Sequence, residues 1–311
     1  MPWLRHGRGD GKVPCQMTQP SRAMAWVLAA RVRTLPAAAV PVAVGTACAH
    51  VLGGIAWPAA LCALFGALAI QIATNFANDV FDAEKGADGP NRQGPPRAVS
   101  SGWITAKQMK LAMIAAFAAA TVAGAYLVSV GGWPVVAIGI ASILSGIAYT
   151  GGPYPLGYNG LGDIFVFIFF GPVAVLGTVW AQRFVVPTFA IWISIPVGLL
   201  AAAILVVNNL RDRDTDIVVG KRTLAVRFGR TAALAQYAGL LIAAAVIPVG
   251  LALHYHSNWL LLPLAATPIG VLRYRALVAA RIGAQFNQLL AATAQLLLLY
   301  GALQVAALVL A

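Results

Sequence analysis

The chain has 311 residues, 60% of them hydrophobic and only 10% charged, with a mean hydropathy of +0.81. A soluble protein of that composition lacks the polar surface to cover itself, and nothing alternates like a barrel strand, so the residues read as an all-α integral membrane protein. The formal net charge of +12 then reflects membrane topology and anionic substrates, and no nucleic-acid partner is expected.

Residues 1–20 are polar, basic and Pro/Gly-containing and read as a disordered tail without the features of a signal peptide. Ser21 is placed to cap a short helix through Arg33, with Trp26 and Arg31 at the membrane interface. Nine apolar runs of spanning length follow, at 35–56, 58–80, 108–129, 133–150, 160–181, 185–207, 232–254, 257–275 and 286–310. Residues 21–311 therefore read as a single domain, a nine-transmembrane-helix bundle. Cys15, Cys48 and Cys62 have no disulfide or metal spacing, and His6, His50, His254 and His256 form no zinc motif.

With the N-terminus in the cytoplasm, 20 of the 21 cations fall on one side and only Arg183 falls outside, as the positive-inside rule requires. The C-terminus is then outside, and the compartment expected is a bacterial inner (plasma) membrane. Seven of the nine acids lie at just two cytoplasmic helix ends, a concentration that ordinary loop charge does not produce. One cluster is Asp79, Asp82, Glu84 and Asp88, after the second run; the other is Asp212, Asp214 and Asp216, after the sixth.

In the second cluster Asn208, Asp212 and Asp216 are spaced four apart and line one helix face. Like charges at that spacing weaken a helix unless something compensates, and an all-oxygen set suits Mg²⁺ better than zinc. About 130 residues upstream the Asn-x-x-x-Asp step occurs twice more, as Asn75 to Asp79 and Asn78 to Asp82. Two converging acidic helix ends would hold Mg²⁺ ions that grip a diphosphate, with Lys221, Arg222, Arg92 and Arg97 neutralising the same anion. Below them a central substrate cavity, capped on the cytoplasmic side, would take a lipid tail. Charged head recognition above an apolar shaft in the lipid bilayer fits a polyprenyl diphosphate. Metal-assisted departure of diphosphate would leave an allylic cation, which needs an electron-rich acceptor and exclusion of water.

At these residues the chain resembles the UbiA-type intramembrane aromatic prenyltransferases. Within them it is most similar to the 1,4-dihydroxy-2-naphthoate polyprenyltransferases of menaquinone synthesis. Four blocks carry the resemblance in order: Arg33-Thr34-Leu35-Pro36 with Pro41 to Gly45; Asn75 to Arg97; Tyr149 to Leu156 with Gly160 to Asp163 and Phe169 to Gly171; and Asn208 to Gly229. Asn78 and Asp82 match the first two positions of the superfamily's Asn-x-x-x-Asp-x-x-x-Asp motif, and Asp212 and Asp216 match its Asp-x-x-x-Asp motif. The third position of the first motif is Gly86 here, with Asp88 two residues on, so Asp88 and Asp79 are both candidates for the remaining metal ligand. The resemblance implies Mg²⁺-dependent transfer of a prenyl chain onto 1,4-dihydroxy-2-naphthoate with loss of CO₂, giving demethylmenaquinone. It leaves two rivals: a sister enzyme acting on 4-hydroxybenzoate, homogentisate, haem or a chlorophyll precursor, and an ion-coupled transporter.

Three further features have two readings each. Asp163 either orients or deprotonates the acceptor, or caps its helix. The Tyr149 to Tyr158 loop either walls the acceptor, with Tyr149 foremost, or is a tight turn. Arg33 either pairs with the acceptor carboxylate or anchors to lipid headgroups.

Overall fold

The computed structural model describes residues 20–88 and 92–311, and residues 1–19 of the expected tail lie outside it. Among the described residues every regular element is helical. Ser21 accepts from the Met24 amide and opens α1 (Arg22–Ala30), which ends at Arg31 in the left-handed region, φ 52°. This is three residues short of the expected helix, and a 3₁₀ turn (Val32–Thr34) carries the chain on. The chain then bends by 49° into α2 (Pro36–Val51), whose first-turn Pro36 is preset for helix entry.

The helices α3 (Trp57–Glu84), α4 (Ala106–Gly131) and α5 (Trp133–Ala148) follow. Thr105 and Gln108 close a capping box on α4, and Gly132 at φ 69° turns the chain into α5. The fifth run is α6 (Gly162–Ile168) and α7 (Ala174–Arg183), joined by a π-helical turn, Phe169–Val173, that contains Pro172. Next come α8 (Thr188–Val218) and α9 (Leu224–Tyr255), the latter broken at Gly229. A 3₁₀ stretch (Asn258–Ala266) leads into α10 (Thr267–Ala279), and α11 (Gly283–Leu310) completes the bundle.

The expected runs thus all appear as helix, though helix length confirms fewer than nine of them as spans. Among the described residues seven helical segments are long and apolar enough to cross a membrane, and the bent α1–α2 pair, taken as one span, makes an eighth. The shortfall is α5, whose 16 residues extend about 24 Å against a hydrocarbon core of about 30 Å. Its apolar run continues to Thr150, but Gly151, Gly152 and Pro153 end the helix early.

The bundle is centred on α8. Its 31 residues span about 46 Å, so they cross the bilayer and still project a polar end beyond it. Val197, Leu200, Ala201 and Val207 are buried there against α2, α7, α9 and α11. Close approach to the α6–α7 turn depends on glycine: a Cβ on Gly198 would stand 2.5 Å from the Phe167 carbonyl oxygen. Gly198→Ala is therefore expected to cost about 1–3 kcal/mol by overpacking, read as a lower unfolding midpoint in detergent.

Packing is looser among α2 to α7. Gly124 and Gly139 have open space where a Cβ would sit, and such small residues leave a cavity of about 610 Å³. The expected cavity exists, but it is off-centre: its lining runs from Ala38 to Ala181 and includes nothing from α8 to α11. The larger Val and Leu side chains of α8, α9 and α11 close the other half.

Candidate functional site

The last turns of α3 carry the first acidic cluster. Asp79 is buried, and both its oxygens accept backbone amides, from Val99 at 2.9 Å and Ala98 at 3.1 Å. Asp79 therefore pins the following loop against α3. Asn75 is likewise structural, its amide donating to the Ala30 carbonyl at 2.9 Å and fastening α1. Asp82, also buried, faces side chains instead: it accepts from Arg97 Nη2 at 2.5 Å and from the Tyr158 hydroxyl at 2.8 Å.

Beyond the helix, Asp88 pairs with Arg92 and lies 3.3 Å from Arg97 Nε. Its Oδ2 is buried without a hydrogen-bond partner. Burial raises the Asp88 carboxyl above the ordinary aspartate range, with Arg97 and Arg92 opposing the shift. Arg97 sits between Asp82 and Asp88 and is itself buried.

The second cluster ends α8. Arg211 grips Asp212 with two bonds, Nε to Oδ1 at 2.7 Å and Nη2 to Oδ2 at 2.6 Å. The same guanidinium reaches Asn208 and Asn287, each at 2.9 Å, tying α8 to α11. Asp216 stands 3.4 Å from Lys221 Nζ, and its Oδ2 is buried with no partner.

The segment from Tyr149 to Leu161 joins the two clusters. Asn78 accepts from the Thr150 hydroxyl, and Lys85 donates to the Thr150 carbonyl. Tyr158 reaches Asp82 with its hydroxyl, while its carbonyl accepts the Arg222 amide at 2.7 Å. Burial, and then the Asp82 carboxylate, push the Tyr158 phenol above its ordinary range, so it donates rather than ionises. Lys85 and Lys221 lie over the Tyr158 ring, 4.5 and 5.4 Å from its centroid. Gly160 at φ 79° lets the strap pass close to the Arg222 carbonyl, 2.8 Å from where a Cβ would be.

Tyr149, at the head of this strap, lines the cavity together with Thr74 and Gln71. Asp163 is buried in the first turn of α6 and accepts from Gln236 of α9 at 2.9 Å, so it can either orient the acceptor or serve its helix start.

Asp82, Asp88, Asp212, Asp216, Asn78, Lys221, Arg92 and Arg97 thus lie at adjoining helix ends, with Asn208 beside them. Two others do not join them: the Arg222 side chain is exposed, and Arg33 is exposed on its 3₁₀ turn. Arg31 takes the inward place instead, its charge acting on Asp79, Asp82, Arg92 and Arg97. The left-handed backbone at Arg31 turns the chain there, and residue spacing carries no signal of it. Tyr158, Thr150, Lys85 and Arg211 are the other site-forming residues that sequence reasoning passed over. Only their nearness to the motifs in sequence pointed to them.

The carboxylates do not converge into a cage. Among the described residues no three of His, Cys, Asp or Glu stand close enough to hold a metal, and Asp82, Asp212 and Asp216 are each held by a cation. That excludes an all-protein metal site of the calcium-cage kind. It fits Mg²⁺, which binds through one or two carboxylates plus substrate phosphates, and the partnerless Asp88 and Asp216 oxygens supply the hard donors.

The description of the UbiA prenyltransferase family matches residues 38–286 of this chain. The chain belongs to that family. Among its relatives, the 1,4-dihydroxy-2-naphthoate octaprenyltransferase of Mycobacterium tuberculosis is 40% identical over 246 residues, covering 79% of this chain and 83% of the relative. The enzyme of that name from Escherichia coli K12 is 39% identical over 264 residues, covering 83% and 86%. In fold, the chain is similar to a UbiA homologue from Archaeoglobus fulgidus bound to DMAPP and Mg²⁺. The TM-score is 0.62 at 15% identity, over 90% of this chain and 99% of the homologue. The UbiA fold thus accounts for nearly all of the described helices, and the all-α, multi-span membrane architecture is that of the family.

Proposed function

We propose that this protein transfers a polyprenyl chain from polyprenyl diphosphate to 1,4-dihydroxy-2-naphthoate, releasing diphosphate and CO₂. The observation that carries this reading is the pair of acidic helix ends, bridged by one strap at the mouth of an apolar cavity. The naphthoate acceptor rests on the names of relatives that match most of this chain. A transporter would carry its charges at the bilayer midplane, whereas these acids end their helices and are matched by cations.

We assign residues 21–311 to one prenyltransferase domain with the acidic ends at the cytoplasmic face, where the cations gather. Asp82, Asp88, Asp212 and Asp216 hold Mg²⁺ together with the donor diphosphate; Asp79 is occupied in pinning the loop. Bound Mg²⁺ supplies Lewis-acid polarisation of the leaving diphosphate, and neighbours of the same fold bound to DMAPP or GPP together with Mg²⁺ support that dependence. Lys221, Arg92 and Arg97 neutralise the phosphate oxygens, and Asn78 and Asn208 orient the carboxylates beside them. The apolar cavity below keeps water from the allylic cation.

In the transfer, the donor C–O bond breaks with its electron pair leaving on diphosphate, and a carbon–carbon bond forms to the electron-rich naphthalenediol ring. The carboxylate leaves as CO₂ in place of the prenyl group, so no net proton is removed from the ring. Asp163 therefore needs only to orient the acceptor beside Tyr149. Electrons balance at the quinol level, so the transfer itself yields the reduced form of demethylmenaquinone.

The test is product formation by purified protein in detergent, given both substrates with Mg²⁺ or with EDTA. Prenylated naphthoquinol in Mg²⁺ and loss of essentially all turnover in EDTA are expected. Prenylation of 4-hydroxybenzoate alone would move the protein to a sister acceptor.

A further inference from the structure

Tyr158 meets both acidic halves. Its hydroxyl donates to Asp82 at 2.8 Å, its carbonyl accepts the Arg222 amide at 2.7 Å, and its ring carries an ammonium from each half. The strap that holds it is anchored from three sides. Thr150 is fastened to Asn78 and Lys85, and the Asn159 carbonyl accepts from Arg227 at 2.8 Å. Lys221 meets Asp216 only at 3.4 Å, so the Tyr158 ring is a second determinant of where that ammonium points.

We propose that Tyr158 is a positioning residue for the donor diphosphate, setting the distance between the two acidic helix ends and aiming Lys221 through its ring. This rests on the proposed reaction, but its effect falls on one substrate alone. Tyr158 contacts the metal-binding and phosphate-binding groups, whereas Tyr149 faces the cavity. The hydroxyl and the ring do separable work: the hydroxyl orients Asp82, and the ring holds the lysines.

The experiment is calorimetric binding of geranyl diphosphate with Mg²⁺ to the full chain in detergent, for wild type, Tyr158→Phe, Tyr158→Leu, Lys221→Met and the Tyr158→Leu/Lys221→Met pair. Loss of the ring should weaken binding about tenfold, and Phe, which keeps it, should stay within about threefold of wild type. Because the ring acts mainly through Lys221, the double variant should be no more than about threefold weaker than either single one. In turnover assays the donor KM should rise for Tyr158→Leu, while the naphthoate KM stays within about twofold.

Multiplying effects in the double variant, or a Phe variant as weak as Leu, would overturn the proposal. So would equal rises in both KM values, the pattern of a merely structural residue. If Tyr158→Leu does not fold, Phe and Lys221→Met still decide. Binding in Phe reduced as far as in Lys221→Met would count against the ring. Failure of the wild type to bind geranyl diphosphate would remove the proposed reaction itself, and this proposal with it.

Discussion

Asp212→Asn is expected to lower turnover by about 10²–10³-fold while the protein still folds and inserts. The amide keeps the shape of the carboxylate and one acceptor for Arg211, which now grips both Asp212 oxygens. What it removes is the negative charge available to Mg²⁺. Alanine is the poorer choice here, because it strands a buried guanidinium and mixes lost folding with lost chemistry. Initial rates at saturating Mg²⁺, read beside the unfolding midpoint, separate the two. Asp82→Asn should behave alike, its oxygen still accepting from Tyr158 or Arg97. Activity within about tenfold of wild type in either variant would take that residue out of the diphosphate site.

Arg97→Met is expected to act on folding as well as on turnover, costing about 3–5 kcal/mol. Arg97 is the cation between Asp82 and Asp88, and without it Asp82 keeps only the Tyr158 hydroxyl and Asp88 only Arg92 as direct side-chain partners. The loss should depend on pH in a stated direction. Asp88 is already raised by burial, and removing Arg97 raises it further. A carboxyl whose folded pKa exceeds its unfolded value contributes stability below the unfolded pKa that is lost as pH rises through the folded one. The variant should therefore be most destabilised at neutral pH and recover toward acid. Unfolding midpoints across that range check it, and a penalty that grew on acidification would contradict the assignment. Arg97→Lys should fall between the two, keeping the charge but not the reach to both acids.

The pairing of each acid with a cation bears on how the site works. A helix end carrying Asp212 and Asp216 would repel itself if left bare, and Arg211 and Lys221 relieve that before any ligand arrives. On the proposed function, binding a magnesium diphosphate would exchange partners, with carboxylates turning to metal and cations to phosphate. Charge stays balanced throughout, which keeps so many ionised groups tolerable beside an apolar cavity.

Much of this was legible in the chain itself. Apolar runs of spanning length mark where helices form, because in lipid the backbone can only bond to itself, and those runs became α2 to α11. The four-residue spacing of Asn208, Asp212 and Asp216 placed them on one face for the same local reason. What the sequence could not decide was contact between distant segments. Asp79 and Asp82 look alike as motif acids, yet one pins the backbone of Ala98 and Val99 and the other faces Arg97 and Tyr158. Arg31 and Arg33 look alike too, and a left-handed residue decides which turns inward. Helical periodicity is set by neighbours three and four residues away, so it is written locally. The strap from Tyr149 to Leu161, the off-centre cavity and the true length of α5 depend on side chains that meet only after the bundle has closed.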